Sequence, residues 1–182
     1  MALLHAYKRK KNQPKPKVQV MNLEKLNQLL PEAIKTQEAA CVCILTITGL
    51  RIGNLLNLEF EVEPVPQDDE TFILKLGKTK TTAHAIFICP KTKRLIDSFK
   101  LKQENRKTAT SYAKVNSFTK ERFQDSTHMC RRASATILKE VFSEDQIRVY
   151  GNWSSGKDTM SSRYLRDGTL KQICDFWKKN LA

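Results

Sequence analysis

Ser126-Thr127-His128-Met129-Cys130-Arg131-Arg132-Ala133-Ser134-Ala135-Thr136 is the stretch around which the rest of this chain is organised. It reads as a helix start. Ser126 and Thr127 are good N-cap types, and Ala133, Ala135, Ile137 and Leu138 continue as helix formers or apolar positions. His128 and Arg131 are three residues apart, so a helical turn projects them from one face. A guanidinium offers a two-pronged fork to phosphate oxygens, and an imidazole hydrogen-bonds or exchanges a proton near neutral pH. His-x-x-Arg alone is equally at home in a surface turn of a basic protein, so the surrounding chain has to decide.

The 182 residues suffice for one domain with a real core. Lys and Arg number 32 against 19 Asp and Glu, a net charge of +13 that points to a polyanion, nucleic acid first. The longest apolar run, Ala39 to Ile47, is too short to span a membrane. Met1-Ala2-Leu3-Leu4-His5 lacks the charged start and long apolar middle of a signal peptide. Five cysteines, an odd number in apolar or helical surroundings, fit reduced thiols in an intracellular protein. Cys41-Val42-Cys43 has the wrong spacing for a zinc knuckle, and three scattered His residues suggest no metal site.

Residues 1–20 read as a basic, extended arm. Lys8, Arg9, Lys10 and Lys11 are suited to DNA phosphates or a nuclear import signal, and a solvated linker is an equal alternative. Residues 21–182 read as one domain. Asn22 caps a helix over Leu23–Leu30 that Pro31 ends, and a second helix runs from about Glu32 to Thr48. Its second half is apolar on all faces, which places it mid-core, with Gly49 as its stop. Arg51 then opens a short helix whose Ile52, Leu55 and Leu56 share a face. An ion pair from Arg51 to Glu59 or Glu61 is the plain alternative to a functional role.

Phe72–Leu76 and Ala85–Cys89 read as strands joined by a turn bearing Lys78 and Lys80. Pro90 opens a helix with a Leu95, Ile96 and Phe99 stripe. Residues 102–116 read as a polar loop, and a short helix follows near Ser117–Phe123. Ser143 and Gln146 have capping-box spacing. Gly151–Gly156 reads as a loop, Asp158–Arg166 as a short helix carrying Tyr164, and Asp167-Gly168 as a hinge. Residues 170–181 form a last helix with an apolar stripe of Leu170, Ile173, Cys174, Trp177 and Leu181.

Taken in order, Thr48-Gly49-Leu50-Arg51-Ile52 with Leu55-Leu56-Asn57-Leu58, Lys80 on a hairpin turn, His128-x-x-Arg131 with Ala135-Thr136, and Tyr164 resemble the motifs of the tyrosine recombinases, the phage integrase family. The resemblance covers about residues 21–170. It implies a mainly α fold with a small antiparallel β-sheet (α+β), the catalytic domain of that family without its usual N-terminal clamp domain. It also implies that Tyr164 attacks a scissile phosphate to give a 3′-phosphotyrosine. Arg51 and Arg131 would stabilise the added charge, His128 would hold an oxygen and assist as base, and Lys80, with Lys78 as the alternative, would protonate the departing 5′-oxygen. Trp153 would hydrogen-bond phosphate, and Lys78 and Arg132 would touch DNA.

The expected partner is double-stranded DNA, with no cofactor, no metal and no membrane. The expected assembly is a homo-oligomer on DNA through the C-terminal helix, passed to a neighbour or else folded back on its own domain. The location is intracellular and DNA-associated, nuclear in a eukaryote. The sequence also departs from the family pattern. Asn54 stands where an acid is usual, Arg132 where His is common, and Trp153 lies eleven residues before Tyr164, further than usual. These leave open a degenerate or domesticated DNA-binding relative. A type IB topoisomerase-like enzyme shares the chemistry.

Overall fold

The computed structural model describes residues 20–76, 85–151 and 160–182, and for residues 76 and 160–167 the backbone alone. The basic arm, with Lys8, Arg9, Lys10 and Lys11, lies outside the described residues. Among the described residues there are eight helices and three strands: α1 (Leu23–Ala33), α2 (Gln37–Thr48), α3 (Ile52–Leu56), β1 (Phe60–Val65), β2 (Asp68–Leu76), β3 (Ala85–Ile88), α4 (Pro90–Glu104), α5 (Tyr112–Phe123), α6 (Met129–Lys139), α7 (Glu144–Gly151) and α8 (Met160–Asn180). The architecture is mainly helical with one small antiparallel sheet, as the sequence leads one to expect.

α2 is the central element. Of its residues only Glu38 is not buried, because Ala39 to Ile47 offer apolar surface to every side. α1, α4, α5 and α6 pack around it. Gly49, at φ 66°, takes the left-handed conformation that closes α2, and its N–H bonds the Leu45 carbonyl at 2.9 Å. The chain therefore leaves the core helix at a fixed angle and delivers Arg51 to the N-cap of α3.

Two helix boundaries differ from expectation. α1 runs through Pro31 to Ala33, and α2 begins only at Gln37. Pro31 falls in the last turn of α1, where its missing N–H removes one bond from a helix about to end. Asn22 caps α1 as expected, its Oδ1 accepting from the Lys25 N–H at 2.9 Å. The expected polar loop over 102–116 is shorter. α4 continues to Glu104, and α5 starts at Tyr112, where Ser111 Oγ accepts from the Lys114 N–H.

The sheet has the order β1-β2-β3, antiparallel throughout. Leu74 sits between Val62 and Ile86, and Phe72 opposite Ile88. β1 was not anticipated. Its Glu residues and Pro64 are poor strand formers, and it survives because Phe60 is buried and every β1 residue pairs with β2. The β1–β2 turn places Pro66 before Gln67 at φ 64°, the pattern of a type II turn. The strand pair expected at Phe72–Leu76 and Ala85–Cys89 is present, and the intervening turn with Lys78 and Lys80 lies outside the described residues.

α8 is one helix of 21 residues. The hinge expected at Asp167-Gly168 is absent, since the helical backbone runs straight through both. Its stripe is covered by its own chain: Leu170, Ile173, Cys174, Trp177 and Leu181 are all buried, against α7 and β3. Lys171 donates to Asp68 Oδ2 and Thr71 Oγ1, both at 2.7 Å, and Lys178 pairs with Glu70. Of the two placements expected for this helix, the structure shows the one folded back on its own domain. All five cysteines are buried and unbridged.

Candidate phosphate-binding site

Two helix starts lie beside the core helix α2. On one side is Arg51, the exposed N-cap residue of α3, extended at φ −80° and ψ 139°. On the other is Arg131, half-buried in the first turn of α6, which packs on α2. Burial and, after it, the charge of Arg51 hold the Arg131 guanidinium below the usual arginine range. The two cations are therefore near enough to repel each other. Among the described residues no ion pair joins Arg51 to Glu59 or Glu61, the plain alternative to a functional role.

The helix start carrying His128 differs by one or two residues from the sequence expectation. Ser126 and Thr127 form a turn, in which the Met129 N–H bonds the Ser126 carbonyl at 3.0 Å, and His128 itself is the N-cap position. This keeps His128 exposed at the mouth of α6 and Arg131 one turn further in. Arg132 points elsewhere. It forms an ion pair with Asp125, so a phosphate would have to compete with that carboxylate.

Arg131 also reaches forward in the chain, its Nη2 donating to the Gly151 carbonyl at 3.5 Å. Gly151 is thus a direct partner that the sequence does not announce, although it stands two residues before Trp153. Tyr150, its neighbour, is fully buried, and its hydroxyl donates to the Ile47 carbonyl. Burial pushes that phenol well above the usual tyrosine range. Tyr150 is therefore a core residue, unsuited to act as a nucleophile.

The other candidate residues divide by location. Tyr164 lies in the second turn of α8, where the backbone alone is described. Lys78, Lys80 and Trp153 lie outside the described residues. Asn54 contributes main chain: its N–H bonds the Arg51 carbonyl at 3.1 Å, and its carbonyl accepts from Glu59 at 2.9 Å. Among the described residues no cluster of His, Cys, Asp and Glu could hold a metal ion, and no helix is long and apolar enough to cross a membrane.

What the described groups can do chemically is bind an oxyanion. Two guanidiniums and an imidazole presented at helix starts supply hydrogen-bond donors, the two guanidiniums charged. Comparison with protein-family models, curated proteins and solved structures gave no match.

Proposed function

We propose that this chain is the catalytic domain of a DNA strand-transferase of the tyrosine recombinase type, fold included, acting as a site-specific recombinase or integrase. One observation carries the reading: Arg51 directly follows the core helix α2, and Arg131 sits half-buried in the first turn of α6, which packs on α2, so two guanidiniums are presented at neighbouring helix starts where a phosphate could be held. His128, at the N-cap of α6, stands one turn from Arg131.

In this reading the Tyr164 hydroxyl attacks the scissile phosphorus. A new bond forms from phosphorus to the phenol oxygen, the bond to the 5′-oxygen breaks, and the 3′-phosphate stays on the tyrosine. His128 assists removal of the phenol proton, and Lys80 gives a proton to the departing 5′-oxygen. Arg51 and Arg131 stabilise the additional charge of the five-coordinate state, and Trp153 adds an indole N–H. Strand rejoining reverses these steps.

The proposed partner is double-stranded DNA, with the chain working as a homo-oligomer on it. Passing α8 to a neighbour would require the whole Leu170-to-Leu181 stripe to leave its cis site, so the proposed oligomer uses contacts that leave this stripe in place.

A non-catalytic DNA-binding protein is the second reading, favoured by Asn54 in place of an acid and by the Arg132–Asp125 pair. A nicked suicide duplex separates the two. The strand-transferase reading expects a denaturant-resistant protein–DNA adduct that Tyr164→Phe abolishes while DNA affinity is retained. Binding without adduct at saturating protein supports the second reading.

A further inference from the structure

The segment from 100 to 120 carries six Lys and Arg residues and a single acid. Several exposed cations elsewhere are matched by carboxylates, as in Lys75–Glu63, Arg122–Glu32 and Arg132–Asp125, whereas others, such as Lys35, Arg94 and Lys179, stand singly and enter no ion pair with a described residue. What sets this segment apart is that its cations are clustered. Arg106, Lys107, Lys114 and Lys120 are exposed and enter no ion pair with a described residue. Beside them Tyr112 is 50% exposed at the start of α5, unusual for a large aromatic side chain.

The loop that displays Arg106 and Lys107, residues 105–111, leads into the α5 turns that carry Tyr112 and Lys114, and it is tied down by hydrogen bonds. Gln103 is its hub. Its Nε2 donates to the Thr110 carbonyl at 3.0 Å and to the Leu56 carbonyl at 3.3 Å, and its Oε1 accepts from the Thr110 N–H at 3.0 Å. The Thr110 hydroxyl donates to Glu38 at 2.6 Å, and Gln37 donates to Gln103 and to the Phe99 carbonyl. Inside the loop Asn105 accepts from the Lys107 N–H through its side chain and from Ala109 through its carbonyl. A loop already ordered in this way loses little conformational freedom when its cations meet a partner.

Its place is next to the candidate site. The Leu56 carbonyl that Gln103 holds belongs to the last residue of α3, and Arg51 caps the other end of that helix. Five helical residues span roughly 7.5 Å. α5 packs on α3 and leads, five residues after Phe123, to His128. The surface thus joins the two halves of the oxyanion site along the chain.

We propose that Arg106, Lys107, Tyr112 and Lys114 form a second duplex-DNA contact, gripping the sugar–phosphate backbone beside the phosphate held at Arg51 and Arg131. The cations neutralise phosphates and Tyr112 packs on sugar or hydrogen-bonds phosphate, so the surface adds affinity without reading sequence. This rests on nucleic acid being the partner in the function proposed above, and not on its strand-transfer chemistry.

The test is a salt series of full-chain binding to a labelled DNA duplex, followed by anisotropy. Arg106→Gln/Lys107→Gln/Lys114→Gln is expected to make the slope of log K against log salt shallower by about 2.7, roughly 0.9 for each phosphate no longer neutralised. Tyr112→Ala is expected to weaken binding severalfold with the slope unchanged. Lys139→Gln/Arg148→Gln, on the ion-paired surface of α6 and α7, is expected to match the wild type. A wild-type slope in the triple variant overturns the proposal, and so does absence of duplex binding by the wild type. A triple variant that loses binding to anionic lipid vesicles alone would also overturn it and assign the patch to a membrane surface. Failure to form an adduct at Tyr164 leaves this slope untouched and counts against strand transfer only.

Discussion

The Tyr150 hydroxyl donates to the carbonyl of Ile47, 103 residues earlier. Ile47 lies in the last turn of α2, four residues before Arg51, and Tyr150 precedes Gly151, whose carbonyl holds Arg131. This one buried bond therefore ties together the two segments that carry the paired arginines. Tyr150→Phe removes the donor and leaves a buried carbonyl at the end of α2 short of a partner. The expected cost is about 1–3 kcal/mol of stability. DNA affinity should fall as well, since Arg131 loses its fixed neighbour. Denaturant unfolding with a parallel binding titration checks both, and an unchanged midpoint would deny the bond its role.

Alkaline pH should destabilise the fold. Burial pushes the Cys130 and Cys174 thiols up to about 12, and raises Cys41, Cys43 and Tyr150 as well. Unfolded thiols ionise near 8.5. Above that pH the unfolded chain sheds protons that the folded chain retains, so stability is fully present below it and is lost as pH rises toward the folded values. Each group contributes a slope of up to about 1.4 kcal/mol per pH unit. Melting temperature is expected to be flat from about pH 7 to 8 and to drop steeply between about 9 and 11. A flat profile across that whole range would mean that these thiols are not buried.

The C-terminal helix should be indispensable to folding in cis. Trp177 is 1% exposed and Ile173 fully buried. Trp177→Ala is expected to cost about 3–5 kcal/mol, and removal of residues 170–182 to abolish the cooperative melt. A truncated chain that melts cooperatively and still binds DNA would show that the helix belongs to a neighbour.

Gly168 offers the opposite change. It is exposed within α8, and a Cβ added there meets nothing within 4 Å. Gly168→Ala is expected to stabilise the helix by about 0.5–1 kcal/mol, read as a rise of a few degrees in Tm. A lower Tm would show that the backbone at 168 departs from the helix in solution.

The elements whose sequence carries a local physical signal were legible. Asn22, Gly49, Pro90 and the Ser143–Gln146 box each mark a terminus through a hydrogen bond or a fixed φ, and the structure places each there. The all-apolar run of α2 announced the core. What failed depended on tertiary contacts. β1 is held by its partner strand against its own propensity. The start of α5 at Tyr112 was concealed by polar residues, and the network around Gln103 joins residues far apart in sequence. Gly168 read as a hinge because glycine is a weak helix former, but the flanking helix is anchored at Lys171 and Trp177, which carries the backbone through. For the site, Arg51, His128 and Arg131 were named from motif and spacing, whereas the Arg131–Gly151 bond was not, since nothing in a glycine's identity marks its carbonyl as an acceptor.

The central claim is that Arg51 and Arg131 hold one phosphate together. Its most direct measurement is the rate of covalent capture on a nicked suicide duplex for Arg51→Ala, Arg131→Ala and the double variant, each first shown to melt cooperatively. Each single change is predicted to slow adduct formation by a factor of about 100 or more, and the double change to be far less severe than the product of the two, because residues acting on one phosphate as a unit are not additive. Independent, multiplicative losses, or a folded Arg51→Ala protein that captures DNA at the wild-type rate, would contradict it.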